Sequence, residues 1–174
     1  MQPRPVRLSA TDMTEMVLPN DANVHGSVLG GRVMHHIDIC GAIAANRHSG
    51  RGVVTAMVDE IEFLHPVPVG ALLVLKSSVN YASRTSMEVG VKVWSEDPRT
   101  GDRRHTSSAY LTFVAVDATG RPVDVPPVLP ETDEEKRRCA EAERRRAVRL
   151  EHRAAKKARR AAADGAGGAD GAPR

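Results

Sequence analysis

The sequence has few aromatic residues and no long apolar run. One tryptophan, two tyrosines and two phenylalanines are all the aromatics in 174 residues, and none follows Phe113. A stacking platform for single-stranded nucleic acid is therefore not indicated. No stretch approaches the roughly eighteen apolar residues of a membrane span, and the N-terminus lacks the apolar run of a signal peptide. We expect no nucleic-acid partner, no membrane partner and a cytoplasmic location.

Cysteine is also scarce. Cys40 and Cys139 lie far apart in the chain, without a CxxC motif or a nearby Cys/His partner. Neither a disulfide framework nor a structural zinc site is supported by this spacing. We expect reduced thiols, no metal and no redox cofactor.

The charge is unevenly distributed along the chain. Residues 1–131 carry 12 Lys/Arg against 14 Asp/Glu, whereas residues 132–174 carry 13 against 8. The body is mildly acidic and the C-terminal segment is basic. A chain of 174 residues is typical of one domain with an extension rather than of two large domains.

One helix and four strand-like runs follow the proline- and glycine-rich residues 1–29. Apolar residues at three- and four-residue steps predict a buried helix from Gly31 to about His48. Four runs rich in β-branched or alternating residues predict strands joined by tight turns. This order predicts an α+β fold in which an antiparallel sheet covers one helix. The predicted strands are Val53 to Pro66, Ala71 to Ala82, Ser86 to Ser95 and Arg104 to Asp117.

The C-terminal segment is predicted to be peripheral. A proline-rich strap begins at Val125, and Thr132 with Glu135 forms a capping box that starts a charged helix. Beyond its first turns we expect this helix to be solvated. We divide the chain into an N-terminal arm, a main domain, a strap with the charged helix, and a disordered tail. These units span residues 1–8, 9–124, 125–163 and 164–174.

A carboxylate in the apolar helix is the most informative polar residue. Asp38 lies two turns into the helix, where a buried carboxylate requires partners. Asp38 could simply lie on a solvent-exposed edge of the helix. However, the preceding loop supplies the side-chain amide of Asn23 and unhindered backbone amides at Gly30 and Gly31, next to a helix N-terminus. Such a terminus can stabilise a developing oxyanion.

Five segments in this order resemble the hotdog-fold acyl-CoA thioesterases, both bacterial single-domain hydrolases and tandem-hotdog cytosolic enzymes of animals. The resemblance covers about Met16 to Arg145 and implies a long central helix wrapped by a curved antiparallel sheet. It also implies a homodimer whose sheets join, usually assembled as a trimer of dimers. The segments are DANVHGSVLGGRVMHHID, VDEIEFLHPVPVG, RTSMEV, FVAVD and VPPVLPET.

The resemblance implies the catalytic roles. It assigns the acid or base to Asp38 and the partner amide to Asn23, which would meet across the dimer interface. The thioester carbonyl would lie at the helix N-terminus, polarised by the amide of Gly31 or its neighbour. Water activation and a covalent anhydride both stay open.

Further residues are candidates for binding the acyl-CoA substrate. His25 and Gly30 belong to the loop before the helix. Val58, Asp59, Phe63 and Pro66 would line the acyl and pantetheine channel. In the turn between two strands, a guanidinium and hydroxyls could meet the coenzyme A phosphates, although an ordinary polar turn has the same composition. These turn residues are Arg84, Thr85 and Ser86.

We expect an acyl-CoA hydrolase that releases fatty acid and coenzyme A. A non-catalytic acyl-CoA sensor and a hotdog enoyl-CoA hydratase are alternatives, as is a scaffold that uses the basic helix. His35 and Asp38 could form a metal pair, but a third ligand is not visible in the sequence.

Overall fold

The structure, a computed structural model, describes residues 1–166, with side chains through residue 160. A long helix packs on a five-stranded antiparallel sheet whose strand order is β2-β4-β5-β6-β3, and a second long helix follows. The predicted α+β layout is confirmed. The elements are β1 (Arg4–Pro5), β2 (Thr11–Met16), α1 (Gly30–Ser49), β3 (Gly52–Phe63), β4 (Leu72–Ala82), β5 (Ser86–Glu96), β6 (Arg103–Val116), β7 (Val128–Leu129) and α2 (Asp133–Ala166).

Helix α1 packs its small residues against the sheet. Ile37, Cys40 and Ala44 are fully buried, which confirms the predicted apolar stripe. A Cβ added at Gly41 would lie 3.0 Å from the ring of Phe113, closer than most real Cβ contacts. Glycine at this position therefore lets the helix approach the aromatic ring on β6.

Side chains on β5 and β6 alternate between the core and the outer face of the sheet, as the sequence predicted. On β5, Met87 and Val89 are fully buried beneath α1, and on β6 Leu111 and Phe113 pair with them across the ladder. One face of this sheet therefore carries the core, because side chains alternate between faces along a strand.

Two edge strands frame the sheet. The sequence did not predict β2, because its residues TDMTEM are mostly polar. In the structure most of them are exposed to solvent. The opposite edge is β3, whose pairing with β6 is irregular after Thr55 and again after Val58. Its outer edge has no strand partner among residues 1–166. Such an edge is available to another chain.

The strap and the N-terminal arm pack together near the end of α1. Strand β1 pairs in parallel with β7 in the strap. The ring Nε2 of the buried His48 donates to the carbonyl of Pro126 at 2.9 Å. Arg4 donates to the carbonyl of His48 at 2.7 Å, so the guanidinium satisfies a carbonyl at the helix end.

Helix α2 begins as predicted, but it is not solvated beyond its first turns. The amide of Glu135 donates to Thr132 Oγ1 at 3.2 Å, and Glu135 Oε2 accepts from the amide of Thr132 at 3.1 Å, which confirms the capping box. The prediction of a solvated continuation is wrong as far as Arg149, because Arg145 and Arg149 bind the buried Glu88 on β5. Residues 151–160 are exposed, as predicted.

The predicted disordered tail falls largely outside the described residues. Residues 164–166 continue α2, so this helix extends beyond the predicted end at residue 163. Residues 167–174 lie outside the part of the chain that the structure describes. Within residues 1–166, no helix is both long and apolar enough to cross a bilayer.

Candidate active site

Asp38 is held by a threonine on the edge strand. Thr55 Oγ1 on β3 donates a hydrogen bond to Asp38 Oδ1 at 2.6 Å, and Asp38 Oδ2 accepts none from the described residues. Ladder pairing with β6 skips one residue after Thr55, and such bulges can re-aim side chains beside active sites. Sequence reasoning missed Thr55, because threonine within the run VVT is an ordinary strand residue.

The loop before α1 fixes Asn23. Its Oδ1 accepts from the backbone amides of His25 and Ser27 at 2.9 and 3.3 Å. The carbonyl of Asp21 accepts from the amide of Leu29 at 2.9 Å, which ties the loop to the helix start. The side-chain oxygen of Asn23 is thus used inside the loop, and its Nδ2 group remains available as a donor.

The N-terminus of α1 offers unpaired amide donors. Leu29 is the N-cap residue and makes no side-chain cap hydrogen bond. Within the described residues, the amides of Gly30 and Gly31 have no acceptor. A Cβ added at Gly31 would meet nothing within 4 Å, so the space in front of this residue is open. Together with the helix dipole, these donors suit an anionic or polarised oxygen.

Asn23 and the helix start share one cleft of about 260 Å³. The ring of Phe63, at the end of β3, lies 3.6 Å from the Cβ position at Gly30. Two of the four predicted channel residues, Phe63 and Pro66, line this cleft, whereas Val58 and Asp59 do not. The cleft residues include Asn23, Ser27, Gly30, Phe63, His65, Pro66 and Thr106.

Asp59 instead contacts the C-terminal helix. Its carboxylate forms an ion pair with Arg149. Burial raises the pKa of Asp59 above its ordinary value, and the Arg149 guanidinium opposes that rise. Val58 is 42% exposed on the free-edge strand. The roles of these two residues in binding substrate stay predictions.

Asn23 and Asp38 are not joined within one chain. No hydrogen bond links them among the described residues, and the eight residue steps from Gly30 to Asp38 span about 12 Å of helix. Asn23 lies at the Phe63 end of β3, whereas Asp38 lies at the Thr55 end. A single chain therefore presents two separated half-sites.

The two elements beside the half-sites, α1 and β3, expose large apolar side chains. Each of these side chains is between 36% and 49% exposed. Exposed apolar side chains on an unpaired edge strand are typical of a protein interface. They are Met34, Ile39 and Ile43 on α1, and Val54, Val58 and Phe63 on β3.

The histidines near the site do not assemble a metal centre. His35 contacts the ring of His36, with centroids 5.5 Å apart. Burial lowers the pKa of His36 below its ordinary value. Among the side chains of residues 1–160, no group of three or more His, Cys, Asp or Glu could hold a metal ion.

The turn with the predicted phosphate contacts lies between β4 and β5. Ser83 Oγ and Ser86 Oγ are 2.8 Å apart, and the Arg84 side chain is exposed. The carbonyls of Arg84 and Thr85 accept from Val125 and Ala115, which fixes the turn against the strap and β6.

Comparisons with known proteins agree with the fold. The sequence model of the thioesterase superfamily matches residues 25–101. The chain is 44% identical over 122 residues to the uncharacterized acyl-CoA thioester hydrolase YkhA of Bacillus subtilis, covering 70% of this chain and 71% of that protein.

Two solved structures are similar along most of the chain. A hexameric acyl-CoA thioesterase without ligand gives a TM-score of 0.85 at 42% identity, covering 88% of this chain and 99% of that one. The second is an acyl-CoA hydrolase from Staphylococcus aureus in complex with butyryl coenzyme A, coenzyme A and coenzyme A disulfide. Its TM-score is 0.79 at 37% identity, and the match covers 88% of this chain and 96% of that one.

Three further structures contain alanine variants of the Staphylococcus aureus hydrolase. The replaced residues are an asparagine, an aspartate and a threonine, at positions 15 and 17 residues apart along that chain. The same residue types with the same two intervals occur here as Asn23, Asp38 and Thr55. These three residues of this chain therefore share residue type and spacing with the residues replaced in that hydrolase.

Proposed function

The chain belongs to the hotdog-fold acyl-CoA thioesterases of the thioesterase superfamily, and we propose that its active site is assembled from two protomers. It is an acyl-CoA thioester hydrolase, which cleaves the substrate to a carboxylic acid and coenzyme A. The proposed reaction uses water and side chains of the protein, without a cofactor. Fatty acyl chains are the proposed acyl groups, since the exposed surface beside the half-sites is apolar.

The free edge of β3 supports a two-fold dimer. If two copies of β3 pair in antiparallel fashion, the Thr55 end of one strand approaches the Phe63 end of the other. Asp38 of one protomer then faces the cleft that holds Asn23 of its partner. The apolar residues beside β3 would be buried in the same interface. A trimer of such dimers is supported by the hexameric relatives.

The helix N-terminus would bind the thioester carbonyl. The amide of Gly31, or that of Gly30 beside it, donates to the carbonyl oxygen and stabilises the charge that develops there. Because these amides have no acceptor within the described residues, the donors are already oriented before substrate arrives. Asn23 Nδ2 completes the arrangement by donating to the attacking water or to the carbonyl oxygen.

Asp38 would promote attack on the carbonyl carbon by one of two routes. In the first route it takes a proton from water as the water oxygen attacks the carbon. In the second route its own oxygen attacks the carbon and forms an anhydride, which water then cleaves. In both routes the carbon–sulfur bond breaks and coenzyme A leaves as a thiolate that acquires a proton. Thr55 holds one carboxylate oxygen at 2.6 Å and so orients the other.

The remaining predicted residues would bind the rest of the substrate. Phe63 and Pro66 line the cleft beside the helix start, which supports a role near the acyl or pantetheine chain. His25 lies in the loop that holds Asn23. The turn with Arg84, Thr85 and Ser86 is proposed to contact the coenzyme A phosphates.

The observation that carries this proposal is the Asp38–Thr55 hydrogen bond at a free strand edge. The test measures release of free coenzyme A with a thiol reagent, from short- to long-chain acyl-CoAs. We expect Asp38→Asn to lower kcat a hundredfold or more. The matched control is Asp12→Asn, which removes an exposed carboxylate paired with Lys76 on β4. Equal activity of both variants would contradict the assignment.

A further inference from the structure

Part of α2 closes a pocket over the outer face of the sheet, opposite α1. Its volume is about 70 Å³, and we call it the α2 pocket. Hydroxyl groups from the β4–β5 hairpin and β6 meet guanidinium groups from α2 there. The residues used below are Ser83, Ser86, Thr112, Arg146, Arg149 and Arg153.

The α2 pocket carries excess positive charge. Arg149 is neutralised by Glu88 and Asp59, and Glu88 also binds Arg145. By contrast, no carboxylate pairs with Arg146 or Arg153 among the side chains of residues 1–160. Two positive charges therefore remain for an external anion.

The hydroxyl groups complete a set of donors suited to phosphate. Ser83 Oγ and Ser86 Oγ lie 2.8 Å apart, so one of them can donate outward. Thr112 Oγ1 is buried and has no hydrogen-bond partner within the described residues. Guanidinium groups combined with hydroxyls match the several acceptor oxygens of a phosphate group.

The α2 pocket lies at the same end of the sheet as the Asp38–Thr55 pair. Ser86 is in register with Val114 on β6, and Val114 is in register with Val54 on β3, next to Thr55. Two strand spacings correspond to about 10 Å across the sheet. The α2 pocket and Asp38 lie on opposite faces of the sheet, so a ligand that reaches both must pass around the strand ends. The long flexible pantetheine arm of an acyl-CoA allows such a path.

We propose that Arg146 and Arg153 of α2 bind a phosphate group of the acyl-CoA substrate, together with the hydroxyls of the β4–β5 hairpin. This inference rests on the proposed function and extends it to the basic helix. It makes α2 the element that distinguishes coenzyme A thioesters from thioesters that lack the nucleotide. Arg145 and Arg149 have a different task, because they fix the helix to the sheet.

The test compares two thioesters with the same acyl group. Butyryl-CoA carries the phosphates, whereas S-butyryl-N-acetylcysteamine carries none. The double variant Arg146→Gln/Arg153→Gln should raise KM for butyryl-CoA about tenfold or more, with kcat little changed. Its kcat/KM for the phosphate-free thioester should match that of the parent. The control is Arg144→Gln, which removes an exposed positive charge from the same helix outside the pocket.

Calorimetric titration with coenzyme A provides a readout that needs no turnover. The double variant should lose about tenfold or more in affinity, whereas Arg144→Gln should bind like the parent. If the parent hydrolyses neither thioester, the proposed function fails, and the titration still decides the phosphate site. Unchanged coenzyme A affinity in the double variant, or equal losses on both thioesters, would overturn the inference while leaving hydrolysis by Asp38 intact.

Discussion

Thr55 donates to Asp38 at 2.6 Å and so connects the edge strand β3 to the central helix across 17 residues of sequence. The bond occupies one carboxylate oxygen and fixes the orientation of the carboxylate relative to β3. A side chain that acts through Asp38 should affect the chemical step more than substrate binding.

Thr55→Val keeps the shape of the side chain and removes the hydroxyl. We expect kcat to fall about ten- to hundredfold, because a hydrogen bond to a charged group contributes roughly 1.5–3 kcal/mol. KM should change little. Thr55→Ser retains the hydroxyl and should restore most of the activity. Steady-state kinetics on one acyl-CoA checks both variants, and a valine variant with parental kcat would contradict the positioning role.

Removing the carboxylate of Glu88 should destabilise the protein. Glu88 is 2% exposed and binds both Arg145 and Arg149. Glu88→Ala therefore leaves the guanidinium of Arg145 without a carboxylate partner and leaves Arg149 paired with Asp59 alone. We expect the free energy of unfolding to fall by about 3–5 kcal/mol, as for other broken buried ion pairs.

The control for Glu88 is an exposed ion pair. Lys76→Ala removes the partner of Asp12 and should cost less than about 1 kcal/mol. Urea denaturation measures both variants. Equal losses of stability would mean that the contacts with Glu88 do not hold α2 on the sheet.

The buried His48 should make stability depend on pH. Burial lowers the pKa of His48 below its ordinary value, and the adjacent Arg4 guanidinium acts in the same direction, whereas the Pro126 carbonyl opposes them. Above about pH 6.5 the ring is neutral in both folded and unfolded chains. As pH falls below that value the unfolded chain binds the proton first, so stability declines until the folded ring titrates.

Urea titrations between pH 8 and 5 test this dependence. His48→Gln retains a donor for the Pro126 carbonyl and removes the titrating group, so its unfolding free energy should decline less steeply than that of the parent. His36, whose pKa is also lowered, accounts for part of the remaining slope. Identical slopes in parent and variant would exclude His48 as the source.

The central helix and the alternating strands could be predicted because their periodicity is local. The spacing of Ile37, Cys40 and Ala44 and the alternation from Met87 to Val93 identify buried faces without tertiary information. Strand β2 was not predicted, because its residues are mostly polar. Its assignment as a strand depends on pairing with β4.

Glu88 illustrates what periodicity cannot predict. Its position on β5, opposite the core residues, predicts a solvent-facing side chain, yet α2 covers it with two arginines. Thr55 is similar, since its role depends on contact with a helix residue distant in sequence. In both cases the decisive partner is a side chain on a helix that packs against the strand.

The most direct test of the two-protomer site mixes two inactive chains. Asn23→Ala and Asp38→Ala are co-expressed with different affinity tags, and the mixed oligomers are assayed for coenzyme A release. In a mixed dimer, the Asn23 of one chain and the Asp38 of the other form one intact site. With random pairing we expect about a quarter of the parent activity, while each variant alone is inactive. A mixture as inactive as its components would show that Asn23 and Asp38 act within one chain.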